Sequence, residues 1–291
     1  MTTRLVIFAD DPDWHCRRLV AACRRHGAEV TVESLRRCRF RLGSGGSGIE
    51  IPGFGGDTPD VAFVRNIPSG SFEQVTFRLS LLHALRELGV RVVNDARAIE
   101  RCVDKSMTSF LLHKAGIPTP ETLASEDGDT AASWRAMQAT DVVAKPLFGA
   151  QGRGLRRIAP TDPLPDPGDT ALGGVLYLQR YVGHASEWRD FRVFVVGDKA
   201  VAAMMRRGKS WVTNVARGGT CERVPSEGRL AELAVAAAHA VGASYCGVDL
   251  IEDGRHGISV LEVNSMPAWR GLQGVADVDI ADGIARHVLA I

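Results

Sequence analysis

The sequence predicts an α/β protein, and three observations carry that reading. The N-terminal third alternates short apolar runs with runs at helical spacing, a β-α-β rhythm that argues a small parallel sheet. The middle is broken by proline, glycine and aspartate clusters. The C-terminal third holds paired β-rich runs joined by tight polar turns, which read as hairpins.

In order, residues 5–9 are expected as a buried strand, 17–26 as a helix closed by Gly27, 28–32 as a second strand and 61–64 as a third. Residues 42–56 are glycine-rich and read as a loop with a short extended piece. Phe72, Val75, Leu79, Leu82 and Leu85 share a helical face, Gly89 stops that helix, and 90–93 is a strand. Residues 1–93 therefore form one expected unit. Asp104 is the expected N-cap of a helix running to Ala115 and stopped by Gly116. Pro118 and Pro120 mark a turn, 134–139 is expected to be helical, and 142–146 is a strand ended by Pro146. Residues 160–174 read as surface loop and 175–181 as a strand, which completes a second unit, 94–183. In the third, 184–291, residues 191–196 and 200–205 form a hairpin across Gly197-Asp198. Residues 230–241 form a helix capped by Gly242.

The chain of 291 residues carries 35 basic against 34 acidic residues, with no charge block, so neither a nucleic-acid nor a membrane partner is expected. Its apolar runs fall far short of a bilayer span. Six cysteines are scattered without a C-x-x-C pair, which fits reduced thiols in a cytoplasmic protein. Five of the basic residues are lysines: Lys105, Lys114, Lys145, Lys199 and Lys209. Where arginine is the default cation, a retained lysine draws attention.

The residues that carry chemistry begin with a second C-terminal hairpin, 247–251 with 260–264, joined by a glycine-bounded polar turn. Period-two alternation puts Glu262 and Asn264 on one face. If Asp249 pairs across from them, three hard oxygen ligands converge, a set that suits Mg²⁺. Upstream, Lys145 leaves a strand into a loop containing Gly149, Gly152 and Gly154, where backbone N–H groups could approach phosphate oxygens. Read blandly, that loop is a flexible hairpin. Lys105 sits in the first turn of its helix, where the dipole favours an anion; its bland reading is a solvated surface lysine. Gln179, Arg180, Tyr181 and Val182 end a strand and could offer backbone groups to a base. Asp190 and Arg192 share a face, followed by Arg206, Arg207, Asn214 and Arg217.

Taken in order, these segments resemble the ATP-grasp ligases, within them the RimK-like branch of ribosomal-protein-S6 and cofactor α-L-glutamate ligases. The match runs from about Asn94 to the C-terminus. It comprises Asp104-Lys105, the 116–120 turn, Lys145-Pro146 with its glycine loop, 179–182, 190–192, Asn214 with Arg217-Gly218-Gly219, Gly247-Val248-Asp249 and Glu262-Val263-Asn264. The resemblance implies an N-terminal pre-ATP-grasp α/β domain, a small lid domain and a C-terminal α+β domain, with ATP between two sheets. It implies that Lys105, Lys145, Gly149, Gln151, Gly152 and Gly154 meet the phosphates, that Gln179, Arg180, Tyr181 and Val182 line the adenine, and that Asp190 meets the nucleotide. Asp249, Glu262 and Asn264 match the metal positions, and Arg192, Asn214 and Arg217 the phosphate and acyl-phosphate clamp. The cofactors implied are ATP and two Mg²⁺ ions, with Mn²⁺ as a substitute.

Three departures stand out. Arg180 replaces the family's usual glutamate, Val212 a basic residue, and Met266 to Leu272 the usual small, glycine-bearing continuation, with Trp269 and Arg270 at the expected mouth of the site. Residues 64–74 resemble a subgroup linked to tetrahydromethanopterin- and methanofuran-type one-carbon cofactors. There Arg65, with Arg270, is expected to hold a substrate carboxylate; otherwise 65–71 is a turn and helix cap. The implied activity is ATP-dependent amide formation between an acceptor carboxylate and an amino acid, glutamate favoured, through an acyl phosphate. A peptide C-terminus as acceptor, and a regulatory protein that lost turnover, remain the alternatives. A dinucleotide oxidoreductase is disfavoured, because Phe8-Ala9-Asp10-Asp11-Pro12 stands where a glycine fingerprint would follow the first strand. Homo-oligomerisation is left open.

Overall fold

The computed structural model describes residues 2–43, 46–149, 152–166, 168–169, 172–183, 187–213, 218–253 and 257–290. The first sheet is parallel, ordered β2-β1-β5-β6, from β1 (Arg4–Phe8), β2 (Glu29–Glu33), β5 (Val61–Val64) and β6 (Arg91–Val93). Its strands are apolar runs because helices cover both faces. Helix α1 (Trp14–Arg25) starts at Asp13, whose side chain accepts from the Cys16 amide. Helix α2 (Phe72–Glu87) opens with a capping box between Ser71 and Gln74. Within the expected loop β4 (Ile49–Glu50) pairs with β3 (Arg39–Phe40), just ahead of the loop, as a small ribbon.

Two helices follow. Helix α3 (Ala96–Val103) was not expected, and α4 (Lys105–Lys114) starts on the Asp104 cap as expected. The second sheet is antiparallel, ordered β7-β10-β8-β9, from β7 (Thr122–Ser125), β8 (Val142–Lys145), β9 (Arg156–Ile158) and β10 (Leu176–Arg180). Helix α5 occupies Gly128–Ala136, earlier than expected. Asp127 accepts from the amides of Asp129 and Thr130 and so caps the helix at its start.

The third sheet is antiparallel, ordered β13-β12-β11-β14-β15. Its strands are β11 (Arg189–Val196), β12 (Lys199–Arg207), β13 (Thr220–Val224), β14 (Tyr245–Glu252) and β15 (Ile258–Asn264). Helix α6 (Gly228–Val241) covers one face and ends on Gly242 at φ 77°. Helices α7 (Arg270–Gln273) and α8 (Ile280–Leu289) close the chain.

One apolar core joins the first and third sheets, through Leu5, Ile7, Phe63, Phe194, Tyr245, Trp269 and Ile284. Asn94 locks the same seam. Its buried amide donates to the carbonyls of Tyr245 (2.8 Å) and Ser265 (2.6 Å) and accepts from the amides of Ser244 (2.7 Å) and Tyr245 (3.1 Å). All six cysteines are unpaired, and no described helix is long and apolar enough to cross a membrane.

Candidate active site

A cleft of about 130 Å³ opens between the second and third sheets. From the second sheet and its loop it is lined by Lys145, Gly149, Gly152, Gln179, Arg180, Tyr181 and Val182; from the third, by Asp190, Arg206, Asp249 and Glu262; from α4, by Lys105. These are among the residues singled out from the sequence, brought together from two sheets and a helix. Asn214, Arg217 and Gln151 lie outside the described residues.

The two lysines differ in setting. Lys105 Nζ donates to the carbonyls of Leu147 (3.3 Å) and Gly149 (2.9 Å), so α4 is tied to the glycine loop. Lys145 Nζ donates to Gln179 Oε1 at 2.6 Å. Burial lowers the pKa of Lys145 to about 8, against the opposing pull of Glu262, and burial lowers that of Lys105 too. In the loop, Gly154 has φ +72°, and a Cβ there would meet Pro146 Cγ at 2.7 Å, so the turn admits no side chain.

Opposite the lysines runs a chain of alternating charges. Arg206 engages both Asp190 oxygens, one at 2.7 Å, and its Nη2 also lies 3.1 Å from Asp249 Oδ2. Arg192 forks onto Asp249 with two bonds of 2.7 Å. Burial pushes Asp190 up. Asp249, although burial acts the other way, is held well below the ordinary carboxylate range by Arg192 and Arg206. Sequence reading assigned Arg206 no definite role. Counting back from the Gly197-Asp198 turn would set Met205 opposite Asp190, but an extra residue, Val201, bulges β12 and brings Arg206 there instead.

A second bulge makes the metal-type face. From the Glu252–Ile258 pairing Asp249 would oppose Leu261, yet Leu261 is the extra residue and Asp249 opposes Glu262. Gly247 opposes Asn264, so Asp249, Glu262 and Asn264 share one face as expected. Glu262 makes no hydrogen bond or ion pair among the described residues, and burial together with Asp249 raises its pKa. An acidic oxygen pair held without a partner beside an amide oxygen fits a hard divalent cation. Glu262 is ready for it; Asn264 Oδ1 accepts from the Met266 amide at 3.1 Å, which leaves it one lone pair, and both Asp249 oxygens are engaged by guanidinium groups. Among the described residues no cluster of three or more His, Cys, Asp or Glu side chains occurs, which leaves this carboxylate pair plus amide as the candidate.

A second, wider cavity of about 820 Å³ adjoins the cleft and shares Lys105, Gly149, Arg206 and Glu262 with it. Arg65 and Arg270 line it as expected, with Asp11, Asp13, His15 and Asn66, which sequence reading did not single out. Arg65 donates to the Met266 carbonyl at 3.0 Å and lies 5.3 Å from the centre of the Trp269 ring. Trp269, expected at the mouth, is 1 % exposed. Its indole joins the seam core against Phe194, because a large apolar surface is more stable there than in water. The Arg270 amide donates to His15 Nε2 (3.2 Å), which leaves the ring proton on Nδ1 facing Asp13 Oδ2 (2.8 Å). Trp211 and Leu261, which line the nucleotide cleft, were also missed. Trp211 stood as an isolated aromatic in a polar loop, a signal that could have been used.

The comparisons with known proteins fit this geometry. The RimK-like ATP-grasp domain matches residues 102–288, and the RimK pre-ATP-grasp domain matches 3–99. The chain belongs to the RimK-like ATP-grasp family. It is an ATP-dependent ligase of that family. A tetrahydromethanopterin:α-L-glutamate ligase of Methanococcus maripaludis is 38% identical over 235 residues, 78% of each chain. One from Methanosarcina acetivorans is 30% identical over 318 aligned positions, 97% of each chain. A probable α-L-glutamate ligase of Xanthomonas euvesicatoria is 34% identical over 284, covering 94% of this chain and 92% of that one. Among solved structures, the ATP-grasp ligase PsnB with a minimal precursor superposes with TM-score 0.77 at 23% identity, covering 100% of this chain and 98% of that one. A RimK-domain ATP-grasp protein of Sphaerobacter thermophilus gives 0.71 at 21%, covering 98% and 99%. These superpositions establish the ATP-grasp fold. ATP-grasp ligases use ATP and Mg²⁺, and PsnB has been solved with Mg and ADP.

Proposed function

We propose that this enzyme joins an amino acid, glutamate favoured, to a carboxylate-bearing cofactor precursor of pterin or furan type. The observation that carries the reading is the junction of the two cavities at Lys105, Gly149, Arg206 and Glu262. A nucleotide in the cleft and an acceptor in the wider cavity would meet there. The names of relatives that cover 78%, 97% and 94% of the chain support the choice of glutamate, and two of them name tetrahydromethanopterin.

In the proposed reaction an acceptor carboxylate oxygen attacks the γ-phosphorus of ATP, giving an acyl phosphate and ADP. The amino group then attacks the acyl carbon, loses a proton, and inorganic phosphate leaves. Lys105 and Lys145 hold the phosphate chain, with the backbone of Gly149, Gly152 and Gly154 around it. The strand end 180–182 offers backbone groups to the base, and Trp211 covers it. Arg192, with Asn214 and Arg217, clamps the transferred phosphate. Glu262, Asn264 and, with Arg192 turned towards that phosphate, Asp249 would hold Mg²⁺. When bound, the ions neutralise charge on the β- and γ-oxygens. No enzyme nucleophile is needed; positioning and electrostatics do the catalysis. Arg65 and Arg270 take the acceptor's carboxylates in the outer cavity.

The three sheets, each within its own stretch of chain, support units at 1–93, 94–183 and 184–291. Six unpaired cysteines support a cytoplasmic location.

The test is release of ADP from Mg²⁺-ATP with each amino acid against a panel of pterin, furan, peptide and small dicarboxylate acceptors. Glutamate with a cofactor precursor is expected to give the fastest release. Glu262→Gln is expected to abolish it with the fold intact. Full activity in that variant would sink the metal assignment, and release with peptides alone would sink the acceptor assignment.

A further inference from the structure

The turn at Pro118-Thr119-Pro120 and the buried amide of Gln179 have no part in the phosphate chemistry above, yet one chain of hydrogen bonds joins them to it. Thr122 Oγ1 donates its proton to the Pro120 carbonyl at 2.8 Å. Towards Gln179 that hydroxyl therefore acts as an acceptor, and Gln179 Nε2 donates to it at 3.1 Å and to Tyr177 OH at 3.2 Å. With the amide nitrogen so engaged, Oε1 faces Lys145 Nζ at 2.6 Å. Tyr177 OH also lies 2.7 Å from Ser109 Oγ. Ser109 stands one helical turn beyond Lys105 on α4, so the chain ties the supports of both lysines together.

We propose that Gln179 is a positioning residue for Lys145, and that the Thr122 hydroxyl sets the orientation of its amide. This rests on the reading of Lys145 as a phosphate-binding lysine. A lysine head is a point charge on a flexible stem, so what holds it decides where the charge sits. A flipped amide would aim its own donors at the ammonium group. Gln179 is 2 % exposed, so water is poorly placed to replace the lost acceptor. A glutamate at this position would ion-pair with Lys145 and compete with phosphate; the neutral amide holds the lysine without neutralising it. Gln179 thus acts on the nucleotide through Lys145, its amide already fully engaged by protein groups.

The experiment is calorimetric titration of the whole protein with Mg²⁺-ADP. Gln179→Leu and Thr122→Val are each expected to weaken binding roughly 10-fold, as for one hydrogen bond to a charged group. Thr122→Ser keeps the hydroxyl and is expected to bind as the parent does. Lys145→Met is expected to bind weakly, and Lys145→Met combined with Gln179→Leu no more weakly than Lys145→Met alone. Parent-like binding by Thr122→Val, loss in Thr122→Ser equal to that in Thr122→Val, or losses at 145 and 179 that simply add would each overturn the proposal. Parent-like binding by Lys145→Met would instead overturn the phosphate reading on which it rests. If Gln179→Leu does not fold, the Thr122 pair decides.

Discussion

Deleting one guanidinium, in Arg206→Met, probes the charge chain at the floor of the cleft. Arg206 is 3 % exposed and bridges Asp190 to Asp249. In the variant Asp249 keeps the Arg192 fork, whereas Asp190 keeps only the hydrogen bond from Thr213 among its described stabilising partners. Breaking a buried ion pair by removing one partner costs about 3–5 kcal/mol, because an uncompensated charge stays buried. Against a total of about 5–15 kcal/mol for an ordinary domain, the loss is large. The assay is urea unfolding followed by tryptophan fluorescence at several pH values. Burial already raises the Asp190 pKa and Arg206 opposes it, so removing Arg206 raises it further. A carboxylate with a raised folded pKa binds its proton more tightly when folded. Its contribution to stability is therefore greatest at low pH and falls as pH rises from the unfolded value through the folded one. The deficit of Arg206→Met is thus expected to shrink as pH falls from neutral towards the unfolded carboxylate value. Adding Asp190→Asn, which leaves no charge to bury at that position, is expected to recover much of the loss. A deficit below about 1 kcal/mol at neutral pH, or one that does not change with pH, would refute the reasoning, since buried-pair losses are larger and linked to protonation.

Three further outcomes are expected. Gly154→Ala, at φ +72° with its Cβ 2.7 Å from Pro146, is expected to cost about 1–3 kcal/mol and to weaken Mg²⁺-ADP binding, by thermal melting and calorimetry. Asn94→Ala strands four buried backbone groups at the seam and is expected to cost roughly 3 kcal/mol by urea unfolding. Burial lowers the His15 pKa below 6.5, so its contribution to stability is present above that pH and is lost as pH falls through the folded value. His15→Asn is expected to flatten the fall of stability in that window, while the contribution of His287, also lowered by burial, remains.

Much of the fold was legible because its signals are local. The Asp104 cap, the Gly242 stop and the two-residue turn at Gly197-Asp198 act within a few residues, and each lies where expected. Helix α5 was expected at 134–139, whereas the Asp127 carboxylate caps the amides of Asp129 and Thr130 and starts it at Gly128. Helix α8 was not anticipated; it is held against the seam core, whose other side comes from the far end of the chain.

By itself the sequence determined the β-α-β rhythm of the first sheet, the two lysines, the glycine loop and the acidic hairpin, since residue type and short spacing suffice for those. Tertiary structure decided which side chains face one another. A single bulged residue, Val201 or Leu261, sets whether Arg206 meets Asp190 and whether Glu262 meets Asp249. In a strand one residue of slip turns every side chain to the other face, and the pairing between neighbouring strands sets that register. The same holds for Trp269. Its place after an acidic hairpin suggested the mouth of the site, but the apolar seam between two sheets took it into the core.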